Sequence, residues 1–427
     1  MGRNAPEIEH NVQNADMTRL SPLAVPSFRL LVSGQFASTI GDYCYAVALP
    51  WLVLSAHAST VLLGLVLACY GIPRVALIPV GGMLADKIGP RTLMLFADMG
   101  RCAVVAALTV LAARHTVSLA VLGPPAALIG AGEGLFLPAS YSIMPSLLDG
   151  DQLAAGNGLS TAAVSVGSLI GPAVGGALVA ATGASTIAFG IDAASFAVSA
   201  LTLALIPTRA VSGSFAAASP ADPDAAGAQG SVVSILRRAR AVQVILVIIL
   251  VANLGISGMN AVAIPALAHA KWGAAGFGAL LACSAAGSLA GSLAGARTGR
   301  VRVPLLFSSA VFAIAAASCL VPYTGEAGAA TALLVIGGCT GLANVIILTV
   351  VQTQMPSAVL GRVMSAFMLF AFGCYPLSVS VTGLIVRRLG PAPFFPMAGA
   401  ILAVAMLAGV GQRQFRQFGA ESRSGLT

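Results

Sequence analysis

The chain has 427 residues, of which 58% are hydrophobic and only 8% are charged, and its formal net charge is +8. A soluble core does not need so much apolar surface, so this composition excludes an ordinary soluble protein and indicates a membrane protein with several spans. A positive net charge also occurs in nucleic-acid-binding proteins, but the distribution of the basic residues described below argues against that class.

Twelve apolar runs are long enough to cross a bilayer, since a spanning helix needs about 20 residues. The runs are continuous rather than alternating, which argues against the strands of a membrane barrel. We therefore predict an all-α integral membrane protein with twelve transmembrane helices in two six-helix halves. The predicted spans are 28–56, 61–82, 92–113, 118–146, 156–181, 186–206, 242–268, 273–296, 303–323, 329–354, 360–386 and 392–411.

The basic residues lie mostly on one side of these spans. If the amino terminus is inside, most of the 22 Lys and Arg residues fall in cytoplasmic segments. This is the positive-inside pattern, so we predict a multi-pass protein of the cell membrane with both termini cytoplasmic. The charge is then a signal of topology, and no nucleic-acid partner is expected.

A segment rich in Ala, Ser, Pro and Gly separates the first six spans from the last six, and an internal repeat supports this division. Gly82-Met83-Leu84-Ala85 aligns with Gly291-Ser292-Leu293-Ala294, as expected for two parallel halves that meet at a central site. The predicted divisions are a disordered cytoplasmic tail at 1–27, an N-terminal half at 28–206, a cytoplasmic linker at 207–240, a C-terminal half at 241–411 and a cytoplasmic tail at 412–427.

The first predicted span carries Asp42 near its middle. An unpaired carboxylate is costly there, so Asp42 must face a partner, a water-filled cavity or a protonation equilibrium, and it is a candidate for proton coupling. Phe28-Arg29-Leu30, Gly34-Gln35 and Gly41-Asp42 resemble the opening helix of drug and siderophore exporters of the macrolide-efflux type in the major facilitator superfamily.

Between the second and third spans, residues 82–91 are predicted to form a tight loop at one membrane face. Gly82 would let two backbones approach closely, Gly89-Pro90 would force the turn, and Asp86, Lys87 and Arg91 would need to leave the hydrocarbon. The pattern resembles the loop between the second and third helices of the major facilitator superfamily. That resemblance implies a cytoplasmic gate, in which Asp86 faces Arg362 or the positive end of the eleventh helix. The implied gate residues are Gly82, Asp86, Lys87, Gly89, Arg91 and Arg362.

Further charged residues lie within the next spans. Arg74 has no evident partner in the sequence; its side chain either snorkels to the interface or lines the cavity and attracts anionic groups of a substrate. Asp98 and Arg101 are spaced i, i+3 on one helical face, so they are predicted to neutralise each other. Glu133 lies near the middle of the fourth span and is the second candidate for proton coupling.

Small residues form a stripe along the fifth span. Gly167, Gly171 and Gly175 recur at i, i+4 and i+8, and Pro172 adds a bend, which predicts close helix packing. Together with Gly176, the pattern resembles the fifth-helix motif of antiporters in the same superfamily, and this resemblance favours export.

Three other polar residues lie in predicted spans. Asp192 is close enough to the outer end of the sixth span to favour a local hydrogen-bonding role over proton coupling. Asn253 and Asn260 are seven residues apart on one face of the seventh span, so they join Arg74 as candidates for the cavity lining.

The resemblance covers residues 28–411 and implies a major facilitator fold that works by alternating access. Neither Lys87 nor Lys271 precedes Ser or Thr, so the chain has no P-loop and is not expected to hydrolyse ATP. The sequence contains no arrangement of catalytic residues, so we expect no enzyme activity, no cofactor and no metal.

We expect a secondary transporter that couples proton entry to efflux of an amphipathic or hydrophobic small molecule, such as an antibiotic, a secondary metabolite or a siderophore. The alternatives are uptake of a small metabolite and a non-transporting membrane receptor or scaffold. The expected partners are the small-molecule substrate, protons and the lipid bilayer, and the chain is expected to act as a monomer.

Overall fold

The computed structural model describes residues 21–56, 59–114, 117–149, 152–207, 240–297, 303–354 and 373–412. Within these ranges the regular structure is helical and contains no strand. The labelled helices are α1 (Pro26–Ser55), α2 (Thr60–Ile88), α3 (Pro90–Ala112), α4 (Leu119–Ser142), α5 (Leu153–Thr182), α6 (Thr186–Leu205), α7 (Arg240–Gly258, a π-helical turn at Met259–Ala263, then Ile264–Lys271), α8 (Gly273–Arg297), α9 (Val303–Leu320), α10 (Glu326–Gln354), α11 (Tyr375–Leu389) and α12 (Phe394–Val410).

These helices confirm the prediction of an all-α integral membrane protein. In the described ranges, nine helices are long and apolar enough to cross a membrane, and Pro304–Leu320 and Phe394–Val410 are shorter apolar helices. The eleventh predicted span is described only from Tyr375 onward. The exact number of twelve spans therefore stays a prediction, as do the proposed boundaries of the tails, the halves and the linker.

The predicted loop at residues 82–91 is wrong. Helix α2 continues to Ile88 and α3 begins at Pro90, so Gly89 alone breaks the two helices. Gly89 has a φ of 84°, which glycine adopts without steric cost, and proline is favoured in the first turn of the helix that follows. The charged residues did not end α2, because a helix satisfies its own backbone hydrogen bonds whether its side chains are charged or apolar. Asp86 and Lys87 are both exposed and belong to the last part of this helix, beyond the apolar layer.

The predicted stripe of small residues on α5 is confirmed. Gly167, Gly171 and Gly175 all face α1. A Cβ atom added to Gly171 would lie 2.6 Å from the Cβ atom of Tyr43 and 2.8 Å from the carbonyl oxygen of Ile40. A larger residue at these positions would push α1 away from α5.

The opposite side of α5 contacts the second half of the chain. A Cβ atom added to Gly176 would lie 2.7 Å from the carbonyl oxygen of Ala274 and 2.8 Å from the Cα atom of Gly278, both on α8. One helix thus uses glycines to approach α1 within its own half and α8 in the other half.

Two other helix pairs also join the halves. Helix α2 packs on α11, and the Thr60 hydroxyl donates a hydrogen bond of 2.9 Å to the carbonyl oxygen of Gly383. Helix α1 packs on α7, where the rings of Trp51 and His269 lie 4.9 Å apart.

These contacts lie at helix ends on one side of the molecule, where α1, α5, α7 and α11 end and where α2 and α8 begin. We call this side the remote face, because it is opposite the side where α1 begins. The two halves are therefore packed together at the remote face.

The contact between α5 and α8 predicts a specific effect of Gly176→Ala. The added methyl group would clash with the backbone of α8, and overpacking of this kind typically costs about 1–3 kcal/mol. We expect a lower melting temperature for the purified protein in detergent. Gly190→Ala is the matched control, because a Cβ atom there would meet no atom within 4 Å. Equal melting temperatures for the two variants would contradict the close approach of α5 and α8.

Candidate functional site

Four carboxyl groups and two guanidinium groups occupy the inner part of the first six helices. Because charged groups are costly within a membrane, this concentration is the candidate functional site. We call it the charge cluster; its members are Asp42 on α1, Arg74 on α2, Asp98 and Arg101 on α3, Glu133 on α4 and Asp192 on α6.

Asp98 and Arg101 form the predicted ion pair within α3. The Arg101 guanidinium donates to the carboxylate of Asp98, and the Ser199 hydroxyl donates to the second oxygen of that carboxylate at 2.6 Å. Their side chains are 0% and 3% exposed. The guanidinium carbon also lies 4.7 Å from the ring centroid of Phe136 and 4.3 Å from that of Phe196. This pair is enclosed on all these sides, so its role is to hold α3, α4 and α6 together.

Arg74 and Glu133 form a second ion pair, between α2 and α4. Arg74 Nη2 lies 2.8 Å from Glu133 Oε1, and the Tyr70 hydroxyl donates a hydrogen bond to Glu133 Oε2. Their side chains are 18% and 25% exposed, so solvent reaches this pair. Spacing along the sequence could not predict the partner of Arg74, because Glu133 lies on another helix.

Glycines on α4 explain why this second pair can form. A Cβ atom on Gly130 would meet the backbone of Tyr70, and one on Gly134 would meet the backbone of Arg74. The two helices therefore touch along the turns that carry the pair. Tyr70, which sequence analysis missed, is spaced i, i+4 from Arg74, and that spacing was the available signal.

Asp42, on α1, differs from the carboxylates of Asp98 and Glu133. No ion pair to Asp42 is found in the described part of the chain. It is half-buried, and the guanidinium groups within electrostatic range of it are those of Arg101 and Arg74. Both of these already bind another carboxylate, Asp98 or Glu133. Asp42 thus combines access to solvent with a shortage of compensating charge.

Asp192 is more deeply buried than sequence analysis expected, with 1% of its surface exposed. Its Oδ1 atom has no hydrogen-bond partner within the described ranges. The nearby Ser195 hydroxyl donates instead to the backbone carbonyl of Asp192, at 2.8 Å. This hydrogen bond goes to the backbone, so it does not satisfy the Oδ1 atom of the Asp192 carboxyl group.

The candidate gate residues between Gly82 and Arg91 lie on the side opposite the remote face. Asp86 and Lys87 are exposed. Arg91 donates hydrogen bonds to the carbonyl oxygens of Leu203, at 2.9 Å, and Ala204, at 2.8 Å. Since the last carbonyls of a helix lack partners and carry partial negative charge, Arg91 ties α3 to the end of α6.

Two other residues of the predicted gate are Gly82 and Arg362. No atom lies within 4 Å of a Cβ atom added to Gly82, so the close backbone approach predicted there is wrong in this conformation. The physical reason is that the preceding residue, Gly81, faces α4, so Gly82 points away from that contact. Arg362, the expected partner of Asp86, lies outside the described residues.

The two asparagines of α7 lie on either side of the start of its π-helical turn. Asn253 donates a hydrogen bond of 3.0 Å to the carbonyl oxygen of Ile249, one turn earlier on the same helix. Asn260 belongs to the π-helical turn, and its buried Oδ1 atom has no partner in the described part of the chain. Turns of this type are frequent at functional sites, and this one was not predicted.

Comparisons with known proteins connect this site to a family. The sequence profile described as Major Facilitator Superfamily matches residues 31–378. The chain is 26% identical over 388 residues to the uncharacterized MFS-type transporter YfiS of Bacillus subtilis, covering 87% of this chain and 89% of YfiS. It is 30% identical over 190 residues to the multidrug efflux pump Tap of Mycobacterium tuberculosis, covering 42% of this chain and 44% of Tap.

A solved structure shows the same fold. The crystal structure of a bacterial homologue of the iron transporter ferroportin, in an inward-facing state, superimposes with a TM-score of 0.70. The match covers 90% of this chain and 99% of that one, at 14% sequence identity. At this identity the likeness concerns the fold alone.

The enclosed ion pair on α3 predicts that Asp98→Asn destabilises the protein strongly. Removing one partner leaves the buried Arg101 charge uncompensated, which typically costs about 3–5 kcal/mol. We expect the variant to unfold at a lower SDS concentration than the wild-type protein, as measured by circular dichroism. We also expect a lower yield of monodisperse protein. Asp86→Asn makes the same chemical change at an exposed site and should leave unfolding unchanged. Similar stability in both variants would show that the pair is not structural.

Proposed function

Because this chain belongs to the Major Facilitator Superfamily, we propose that it exports an amphipathic or hydrophobic small molecule in exchange for protons. An antibiotic, a secondary metabolite or a siderophore fits this description. Export is supported by the similarity to the efflux pump Tap over part of the chain and by the glycine stripe of α5, which resembles the antiporter motif. The proposed transporter works in the cell membrane as a monomer, without a cofactor.

The packing of the two halves supports alternating access. They contact each other at the remote face through glycine-mediated approaches of α2 to α11 and of α5 to α8. With the termini in the cytoplasm, the remote face is extracellular, and this arrangement is the inward-facing state. In the outward-facing state, Asp86, Lys87 and Arg362 would come together and close the cytoplasmic side.

The observation that carries the proton-coupling proposal is the pairing within the charge cluster. Glu133 already has Arg74 and Tyr70 as partners, whereas Asp42 is half-buried and its neighbouring cations are bound to other carboxylates. A carboxyl group in this position gains most from binding a proton. Asp42 is therefore the leading coupling residue, and Glu133 is the second candidate.

The proposed cycle uses the same carboxyl group in both states. In the outward-facing state Asp42 binds a proton from outside, and in the inward-facing state it releases the proton to the cytoplasm. Substrate binds in the cavity beside the charge cluster, where Arg74, Asn253 and Asn260 are candidate contacts. Substrate and proton favour different states of the two halves, so that proton entry drives export.

Asp42→Asn should abolish proton-coupled efflux while the protein remains folded, because asparagine keeps the shape of the side chain but cannot exchange a proton. The measurement is proton release from the acidic interior of everted vesicles, with ethidium and a panel of lipophilic drugs as test substrates. Wild-type protein should release protons only when a substrate is added. Glu326→Gln, at an exposed site on α10, is the control and should behave as wild type.

The same assay tests the direction of transport. Proton release that accompanies drug entry into everted vesicles is the signature of export. Substrate movement out of these vesicles would instead support uptake of a small metabolite. Wild-type proton exchange in both Asp42→Asn and Glu133→Gln would exclude both proposed coupling residues.

The second ion pair allows coupling to be separated from folding. Glu133→Gln leaves the guanidinium of Arg74 without its carboxylate, so we expect a reduced melting temperature. Adding Arg74→Gln removes that uncompensated charge and should restore part of the loss. If the double variant is stable but still exchanges no protons with substrate, the pair takes part in coupling; full activity would limit it to a structural role.

A further inference from the structure

Asp192 is a buried carboxyl group that the proposed cycle does not use. Its side chain is 1% exposed, and Oδ1 accepts no hydrogen bond within the described ranges. The hydroxyl of Ser195 is committed to a backbone carbonyl. A buried carboxylate normally needs hydrogen bonds or a cation to offset its loss of hydration, and Asp192 lacks a full set.

The surroundings of Asp192 contain too little positive charge. Helix α6 packs mainly on α1 and α3. The titratable and charged groups within electrostatic range of Asp192 are Asp42, Cys44 and Tyr45 from α1 and Arg101 and Cys102 from α3. Among these, Arg101 is the cation, and it already binds Asp98. The cation nearest in effect to Asp192 is therefore held by another carboxylate.

The turn of helix α1 that carries Asp42 packs against Asp192. A Cβ atom added to Gly41 would lie 2.7 Å from Asp192 Oδ1, so the backbone of α1 lies directly against this carboxyl group. Glycine is required there, because a Cβ atom would also lie 2.0 Å from the hydroxyl oxygen of Ser195. Neighbouring carboxyl groups with too little positive charge around them do not both ionise readily, and their protons come off as a coupled system.

We propose that Asp42 and Asp192 form a pair that holds one proton between them. Asp192 is the buried store, and Asp42 exchanges the proton with the cavity. The Asp42 carboxylate accepts a proton from cavity water, the proton passes to Asp192, and Asp42 is ionised again; release runs through the same groups in reverse. No further reactant is needed.

Tyr45 is within electrostatic range of both carboxyl groups and is the candidate for a relay between them. It is spaced i, i+3 from Asp42 on α1, and its ring packs 5.5 Å from that of Phe189, one turn before Asp192. Its buried hydroxyl has no hydrogen-bond partner in the described part of the chain. A hydroxyl group can donate one proton while accepting another, so Tyr45 is able to pass the proton from one carboxyl group to the other.

The test is infrared spectroscopy of the full chain in lipid vesicles, following the carbonyl stretch of protonated carboxyl groups through a pH titration. At neutral pH the wild-type protein should show this band, and Asp192→Asn should lose it. Asp192→Glu keeps a carboxyl group and should show the band at a shifted frequency. Glu326→Gln, which removes an exposed carboxyl group, should leave the band unchanged.

A band that persists unchanged in Asp192→Asn, or that is absent from the wild-type protein, would overturn the proposed pair. The role of the pair in transport rests on the proposed function, but its protonation does not, so the two can fail separately. A band that depends on Asp192 in a protein without coupled efflux would overturn only the transport role. Coupled efflux that requires Asp42, without this band, would overturn only the pair.

Discussion

The structure depends on one constraint, which is that charge inside a membrane needs a partner. The charge cluster contains four carboxyl groups but only two guanidinium groups. Each guanidinium binds one carboxylate, Arg101 with Asp98 and Arg74 with Glu133. Asp42 and Asp192 are the carboxyl groups of the cluster outside these two ion pairs. The proton coupling proposed for the transporter depends on how these two groups bind and release a proton.

Close helix packing gives the charge cluster its geometry. Glycines on α4 bring α2 near enough for Arg74 to reach Glu133, and Gly41 on α1 leaves room for the carboxyl group of Asp192. The same device closes the remote face, where Gly176 meets α8. Because α1 and α2, which carry Asp42 and Arg74, also join the halves, a change of state can alter the surroundings of the cluster.

Local spacing predicted the contacts that lie within one helix. Asp98 and Arg101 are one turn apart, and the glycines of α5 recur on one face, so both features followed from helical geometry. Residues 82–91 were misread as a loop because charge marks where a chain leaves hydrocarbon, not where a helix ends. Helix α2 extends past that boundary to Gly89, whose positive φ is the actual break.

The sequence by itself determined the class of the protein, the main helices and the presence of costly charges within them, because hydrophobicity and helical period are local properties. The tertiary structure alone decided which charges pair between different helices. Arg74 and Glu133 lie on different helices, and the neighbourhood of Asp42 and Asp192 arises only where α1 packs on α6. Partner choice between helices depends on how their surfaces approach, and no spacing within a single chain segment encodes that distance.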